Sequence, residues 1–198
     1  MPNLLINSGF LVKAAKNGNL RRLAKLIPVS DPTYCESEAL RKSAMAGHAE
    51  CVKLLIPVSN PQDDCSSALQ WAARNGHATC VELLIPVSDP KAKNSLALYW
   101  AVISGNLECV NLLIPVSDCK IDDSIPLMCA AVQKNVECME LLFAHSDPHQ
   151  ALKAMKKKKP DDKDLHHFFD NFIAAKEQQL VLQCAVGANS KKTSARKM

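Results

Sequence analysis

Aromatic side chains are scarce in this sequence of 198 residues, which has only two Trp, two Tyr and five Phe. Because Trp and Tyr dominate the energetics of protein-binding surfaces, the few places where they occur guide the search for a site. Long apolar runs are also missing, since no stretch approaches the roughly 18 apolar residues of a membrane-spanning helix. The opening MPNLLINSGFLVKAAK has neither a basic segment nor a long apolar one, so no secretory signal is predicted.

Signatures of catalysis and nucleotide binding are missing as well: the sequence has no GxGxxG, GxxxxGK(S/T), GxSxG or HExxH pattern. We therefore predict a protein that is not an enzyme, with no catalytic residues, no cofactor and no metal. A metal site near the C-terminal end would combine histidines with Cys184, but the adjacent His166 and His167 would point apart on a helix. An enzyme would need His166, His167 or Asp170 to line a pocket.

Basic charge is confined to one end of the chain. Residues 1–148 have 13 basic and 15 acidic side chains, whereas residues 149–198 have 11 and 5. A nucleic-acid-binding domain usually carries a basic stripe over its folded surface, so nucleic acid is disfavoured as a partner. The run Lys156–Lys159 is followed at once by acidic residues and is interpreted as a solvated connector; nucleic-acid contact is the alternative.

Cysteine usage bears on the compartment. The chain has nine cysteines, an odd number, and no CxxC pair. Together with the missing export signal, this argues against a disulfide framework and favours a reducing environment. We therefore expect a cytoplasmic protein.

A 29-residue repeat organises most of the chain. The phrase LIPVSDP at residues 26–32 recurs in near-copies, and its prolines are each 29 residues from the next, at Pro28, Pro57, Pro86 and Pro115. A fixed period between about 20 and 50 residues is typical of repeat architectures. We predict a domain over residues 1–148 with five units, at about 8–36, 37–65, 66–94, 95–123 and 124–148.

Each unit predicts a pair of helices, as residues 66–94 illustrate. Ser66 or Ser67 can cap the start of a first helix, and Gly76 supplies the left-handed position at which that helix ends. A second helix, apolar almost all round, stops at Pro86 because proline has no N–H. One pair cannot bury its own apolar face, so stacked units are expected to form an all-α solenoid.

The repeated unit resembles a known family. SALQWAARNGHATCVELL (67–84) is similar to an ankyrin repeat in its Ala-Ala pair, its Gly-His turn and its Val-x-Leu-Leu second helix. AGHAECVKLLI (46–56) and SGNLECVNLLI (104–114) match the second half of the pattern. The resemblance implies an ankyrin-like α-solenoid of five helix-pair repeats, which recognises proteins through its concave helix face.

Two departures from the family pattern change this expectation. The period of 29 is shorter than the family's roughly 33 residues, so the projecting fingers are expected to be truncated to short loops. The family's Thr-Pro-x-His network is also absent, because its His column contains Arg41, Gln70, Tyr99 and Met128. Both departures direct the search for a binding site away from loop tips and toward the helices.

Thiols recur at one position of four units, Cys51, Cys80, Cys109 and Cys138. Helices of neighbouring units pack about 9–10 Å apart, too far for a disulfide or a shared metal ion. We interpret this column as small buried apolar side chains. Cys35, Cys65 and Cys119 lie in the links between units and are expected to be more exposed.

The C-terminal part is predicted to cover the end of the stack. Residues 149–186 include a helical pattern of apolar side chains, and a repeat array needs a cap at its open end. An amphipathic helix offered to a partner or a membrane is the alternative. Residues 187–198 are polar and basic, and we expect a disordered tail.

The aromatic residues single out a candidate site. Trp71 and Trp100 occupy equivalent positions in adjacent units, and residues of binding hot spots are most often Trp, Tyr and Arg. The predicted partner-binding residues are Trp71, Arg74, Tyr99, Trp100, Ile103, Met45, Met128 and Val132. In the alternative interpretation, the two Trp pack together in place of the missing Thr-Pro-x-His contacts.

We therefore predict a non-catalytic protein–protein interaction module that blocks, bridges or sequesters a target protein. No small-molecule substrate and no membrane are expected as partners. By analogy with other small repeat proteins, the role is that of a viral or bacterial inhibitor or effector. The alternative is a nucleic-acid-associated protein that uses the lysine-rich C-terminal segment.

Overall fold

A computed structural model describes the backbone of residues 4–195 and, apart from residues 5 and 123, the side chains of residues 4–184. Every regular element in this part of the chain is a helix, which confirms the all-α prediction. The chain divides into two compact units, Met1–Ser146 and Asp147–Met198.

The first unit consists of five helix pairs, one for each predicted repeat. The first helices of the pairs are α1 (Leu4–Lys16), α3 (Tyr34–Met45), α5 (Asp63–Arg74), α7 (Ala92–Ile103) and α9 (Ile121–Val132). The second helices are α2 (Leu20–Leu26), α4 (Ala49–Leu55), α6 (Ala78–Leu84), α8 (Leu107–Leu113) and α10 (Val136–Phe143). Each first helix packs against the first helix of the next unit and against its own second helix.

Small and large apolar side chains alternate to build the core between these helices. In α5, Leu69, Ala72 and Ala73 have no exposed surface. The equivalent leucines of the other units are just as buried, at Leu11, Leu40, Leu98 and Leu127. Because the alanines are small, neighbouring first helices approach closely while the leucines fill the space between them.

Each of the first four pairs turns at a glycine, as predicted. Gly76 has a φ of +76°, and the N–H of His77 donates to the carbonyl of Ala72 at 3.0 Å. This is the hydrogen bond that closes a helix end when the following residue adopts the left-handed conformation. In the fifth unit, Lys134 adopts the same conformation, with a φ of +55°.

In the first four units the serine at the start of the unit binds the following link and does not cap its own helix, so the capping prediction is wrong for Ser66. Ser66 lies in a left-handed turn with Asp64 and Cys65, and its hydroxyl accepts the backbone N–H of Asp89, at 2.8 Å, in the following link. The same bond recurs at Ser8, Ser37 and Ser95. The buried serine therefore fixes the link that returns the chain to the next unit.

The LIPVSDP phrase forms the joints of the stack. Each α-helix of the second set in units one to four ends just before an Ile-Pro-Val 3₁₀ turn, as Leu84 precedes Ile85–Val87. The serine of the LIPVSDP phrase then binds the link that precedes its own unit. Ser88 Oγ donates to the carbonyl of Pro61 at 3.4 Å, and Ser59 Oγ donates to the carbonyl of Pro32 at 3.4 Å. The proline of the phrase thus ends the second helix, and its serine connects consecutive links by a hydrogen bond.

The turn glycines support a paired prediction. Gly47→Ala is expected to lower the free energy of unfolding by about 2 kcal/mol, because a left-handed residue with a Cβ costs about 1–2 kcal/mol. The added Cβ would also lie 2.5 Å from Nδ1 of His77. Gly9→Ala is the matched control, with no atom within 4 Å of its Cβ, and it should stabilise α1 by about 0.5–1 kcal/mol. Urea unfolding of both variants measures the difference; shifts of the same sign would contradict this account.

The second unit is a helical hairpin made of α11 (Pro148–Lys158) and α12 (Lys163–Ala195). Leu165, Phe169 and Ile173 follow one another at four-residue spacing on α12, and all three are buried. Whether this hairpin serves as a cap stays a prediction. Helix α12 runs to Ala195, into the segment 187–198 for which we expected disorder, and the last three residues lie outside the described part of the chain.

Candidate protein-binding face

The first helices present one continuous surface that the core does not use. We define the first-helix face as residues 12, 13 and 16 of α1, 41, 42 and 45 of α3, 70, 71 and 74 of α5, 99, 100 and 103 of α7, and 128, 129 and 132 of α9. These are equivalent positions of the repeat, and none of the fifteen side chains is buried. The intervening Leu40 and Ala44, by contrast, have no exposed surface. The helical period therefore leaves this face available.

Arg74 joins the two tryptophans of this face. Its guanidinium carbon lies 5.0 Å from the ring centroid of Trp71 and 4.5 Å from that of Trp100. Tyr99 meets Trp100 edge-on, with ring centroids 5.4 Å apart and planes inclined by 70°. Each cation–π contact at an exposed site is worth about 0.5–1 kcal/mol. Four of the predicted residues thus form one contiguous cluster, which we call the arginine–aromatic cluster.

The tryptophans of the cluster were interpreted either as a binding site or as packing between units, and the contacts of Arg74 bear on both interpretations. Trp71 belongs to the third unit and Trp100 to the fourth, so Arg74 holds neighbouring units together. Both rings are half-buried and keep some accessible surface, and Arg74 is exposed. A surface that is rigid before a partner arrives loses little conformational entropy on binding. Inter-unit packing and partner binding are therefore compatible at these residues.

The other four predicted residues lie on the same face. Met45, Ile103 and Met128 are half-buried, and Val132 is 37% exposed. Two of them are fixed by hydrogen bonds from the next unit. The side chain of Asn75 donates to the carbonyl of Met45 at 2.7 Å, and the side chain of Gln133 donates to the carbonyl of Ile103 at 2.7 Å. These bonds fix the helix ends on which the side chains stand.

Sequence reasoning missed a groove beside Tyr99. Its volume is about 380 Å³, and it lies between the starts of α7 and α9. Its apolar lining comes from Leu96, Tyr99, Ile121, Ile125 and Pro126. The sequence did contain a signal for this groove. The repeat position that is Glu38 and Ser67 in the second and third units becomes the apolar Leu96 and Ile125 in the fourth and fifth.

The histidines that follow the turn glycines have a structural role. Nε2 of His48 lies 3.1 Å from the carbonyl oxygen of Lys16, and Nε2 of His77 lies 3.2 Å from that of Met45. Asn106 takes over in the fourth unit and donates to the carbonyls of Ala73 and Arg74, both at 3.0 Å. These contacts join consecutive units at the turns between the first and second helices, whereas the LIPVSDP segments join them at the links between units.

The cysteine column is buried, as predicted. Burial raises the pKa of the thiols of Cys80 and Cys109 to about 11. Cys35 and Cys65 are exposed as expected, but the prediction for Cys119 is wrong, because its side chain is buried with Sγ 3.9 Å from the carbonyl oxygen of Ile114. Across the described residues, no three His, Cys, Asp or Glu side chains are grouped to hold a metal ion.

Thiol reactivity should separate the cysteines into two classes. At about pH 8 we expect rapid modification of the exposed Cys35, Cys65 and Cys184, because the thiolate is the reactive form and must be reached by the reagent. Cys80 and Cys109 should stay unmodified until the chain unfolds, since a thiol with a pKa of about 11 is almost fully protonated there. Mass spectrometry after timed labelling measures both classes. Early labelling of Cys80 would contradict the burial of this column.

Two of the three C-terminal candidates, His167 and Asp170, are engaged in contacts on the hairpin surface, whereas His166 is half-buried and its Nε2 has no hydrogen-bond partner among the described residues. His167 bonds the side chain of Asn171 at 3.0 Å, and Asp170 pairs with Lys156 at 3.1 Å. Both His167 and Asp170 are exposed. Lysines at the C-terminal end of α11 are also favoured by the helix dipole, and the interpretation of the Lys156–Lys159 run as a solvated connector stays a prediction. No described helix is both long and apolar enough to cross a membrane.

Comparison with known proteins agrees with this architecture. A family model described as ankyrin repeats (3 copies) matches residues 11–94 and 86–154. The crystal structure of the human ASB11 ankyrin repeat domain superposes with a TM-score of 0.63 at 21% identity, covering 82% of each chain. None of the curated protein sequences compared with the chain is significantly similar to it. The predicted resemblance is thus confirmed, and the structural match supports the fold alone.

Proposed function

Because the chain belongs to the ankyrin repeat family, we propose that it binds a target protein through its first-helix face and has no catalytic role. Ankyrin repeats are generally protein–protein interaction modules. The observation that carries the proposal is the arginine–aromatic cluster, in which the exposed Arg74 lies between the half-buried rings of Trp71 and Trp100. Trp and Arg are the residue types most enriched in binding hot spots.

The stack supplies the rigidity that such a surface needs. The cluster stands on helices whose ends are fixed by Asn75, His77 and Asn106, each reaching into the preceding unit. Short links replace long fingers, so the helices themselves offer the largest ordered surface. A preformed face of this kind suits blocking, bridging or sequestering of a target, and those are the modes of action that we propose.

The proposed setting is a reducing compartment such as the cytoplasm. All nine cysteines are free thiols, and several of them are buried, where a disulfide partner could not reach them. By analogy with other small repeat proteins, we also propose that the chain is an inhibitor or effector made in a host cell or delivered into one.

Site-specific photo-crosslinking tests the binding face. A photoreactive residue at Met45 or Ile103 lies on the first-helix face, whereas one at Leu20 or Leu107 lies at the exposed start of a second helix. All four side chains have some exposure, so the substitutions should leave the fold intact. We expect the same partner protein to be crosslinked from Met45 and Ile103 and not from the two control positions. Crosslinks to one partner from Leu20 and Leu107 alone would refute the proposal.

A further inference from the structure

The charges of the first-helix face are strongly sorted. Five of its fifteen side chains are cationic, and none is Asp or Glu. The cations are Lys13, Lys16, Arg41, Lys42 and Arg74. This is unexpected in residues 1–148, where 15 acidic side chains outnumber 13 basic ones. The fifteen positions therefore have a net positive charge, and the carboxylate of Glu38 borders them beside Arg41 and Lys42.

The face also has two chemically different halves. All of its cations belong to the first three units, whereas its aromatic and large aliphatic side chains are concentrated in the last three, beginning at Trp71. The groove lined by Leu96, Ile125 and Pro126 extends the apolar half beside Tyr99. Arg74 lies where the two halves meet, between Trp71 and Trp100.

Three cations of this face, Lys13, Lys16 and Arg74, are exposed and form no ion pair with any described residue. Arg41 and Lys42 share a single carboxylate, that of Glu38, with both distances at 3.8 Å. Arg74 forms no ion pair with any described residue, although its guanidinium has five N–H donors that can hold a carboxylate in a bidentate fashion.

From this arrangement we infer that the partner presents a linear segment with carboxylates at one end and large apolar side chains at the other. The inference rests on the proposed function and specifies the chemistry of the partner. A carboxylate bound to Arg74 would lie at the junction, with further acidic residues along Arg41, Lys42 and Lys13. The apolar end would pack on Trp100 and enter the groove beside Tyr99.

The length of the segment follows from the stack. Five first helices packed about 9–10 Å apart span about 40 Å. An extended chain advances about 3.3 Å per residue, so a segment of about 12 residues crosses the whole face. A synthetic peptide is therefore a realistic probe, and it can be made without tryptophan.

The two tryptophans of the chain give a direct readout, because both lie in the arginine–aromatic cluster. We would titrate the full-length protein with a peptide that has a block of Asp and Glu followed by Leu and Phe. One control peptide has Lys in place of the acidic residues, and another has Ser and Gly in place of the apolar ones. We expect the first peptide to shift the tryptophan emission and to bind at least about tenfold more tightly than either control. Its affinity should fall as salt is raised, because salt screens exposed charges.

Variants locate the acidic contact. Arg74→Gln is expected to weaken binding of the acidic peptide about tenfold, the loss typical of one hydrogen-bonded charge pair. Arg21→Gln, an exposed position on α2 outside the face, should leave the affinity unchanged. Thermal melts of both variants show whether either has lost its fold.

The possible outcomes separate this inference from the proposed function. Equal binding of the acidic and lysine peptides would overturn the inference and leave a binding face of different specificity. A tryptophan emission that no peptide changes would overturn it too, while the crosslinking experiment still decides whether the face binds a protein. Tighter binding of the acidic peptide that Arg74→Gln does not weaken would likewise overturn the assigned contact.

Discussion

Replacing Leu69 with Ala is expected to lower the free energy of unfolding of the repeat array by about 3 kcal/mol. The side chain has no exposed surface and lies at the centre of the third unit, so its loss leaves a cavity as well as removing buried apolar area. Truncations of this kind cost about 2–5 kcal/mol, and the surrounding alanines leave little side-chain volume to fill the space. A loss at the central unit weakens the contacts with both neighbours.

Urea unfolding followed by tryptophan emission measures this effect, because both reporters lie in the third and fourth units. Leu180→Ala is the matched control, since Leu180 is 50% exposed on α12. Its effect should stay within about 0.5 kcal/mol, the range of ordinary surface substitutions. A loss below about 1 kcal/mol for Leu69→Ala would show that the packed core is not formed as described.

The double substitution Trp71→Ala/Trp100→Ala is expected to reduce the affinity for the crosslinked partner at least a hundredfold. Each hot-spot truncation costs about 2 kcal/mol or more, and removal of both rings also deprives Arg74 of its two supports. The stability should also fall, by about 2–4 kcal/mol, because each ring is half-buried and its truncation removes buried apolar area as well as a cation–π contact. Titration calorimetry and thermal melts measure the two quantities on the same preparation.

Two further variants make this result interpretable. Trp71→Phe/Trp100→Phe keeps an aromatic ring on each side of Arg74 and should retain much of the affinity. Leu20→Ala/Leu107→Ala removes two side chains of 41% and 39% exposure from the second helices and should leave the affinity unchanged. An alanine variant that is strongly destabilised but binds the partner normally would assign the tryptophans to inter-unit packing alone.

The period of the sequence was sufficient to predict the helix pairs and the cluster. Equivalent positions of adjacent units lie side by side, so aligning Trp71 with Trp100 was enough to bring them near each other and near Arg74. The same logic predicted the buried cysteines, since a fixed column shares one environment. Sequence patterns thus predict these contacts because residues that are 29 positions apart in the sequence are neighbours in space.

Features that depend on the links could not be predicted in this way. Ser66 has the chemistry of a helix cap, yet its hydroxyl binds the N–H of Asp89 in a link that lies 23 residues away. Cys119 belongs to a link as well, and it is buried there. The groove beside Tyr99 arises from the spacing between α7 and α9, which no single helix encodes.

Oxidative footprinting of the partner complex tests the binding face most directly, because the chain contains aromatic side chains that react with hydroxyl radicals both on the face and outside it. Trp71, Tyr99 and Trp100 lie on the face, and the other tyrosine, Tyr34, lies outside it and is half-buried like these three. We predict that the partner protects Trp71, Tyr99 and Trp100 from hydroxyl radicals, while oxidation of Tyr34 is unchanged. Unaltered oxidation of all three cluster residues in the saturated complex would contradict the account.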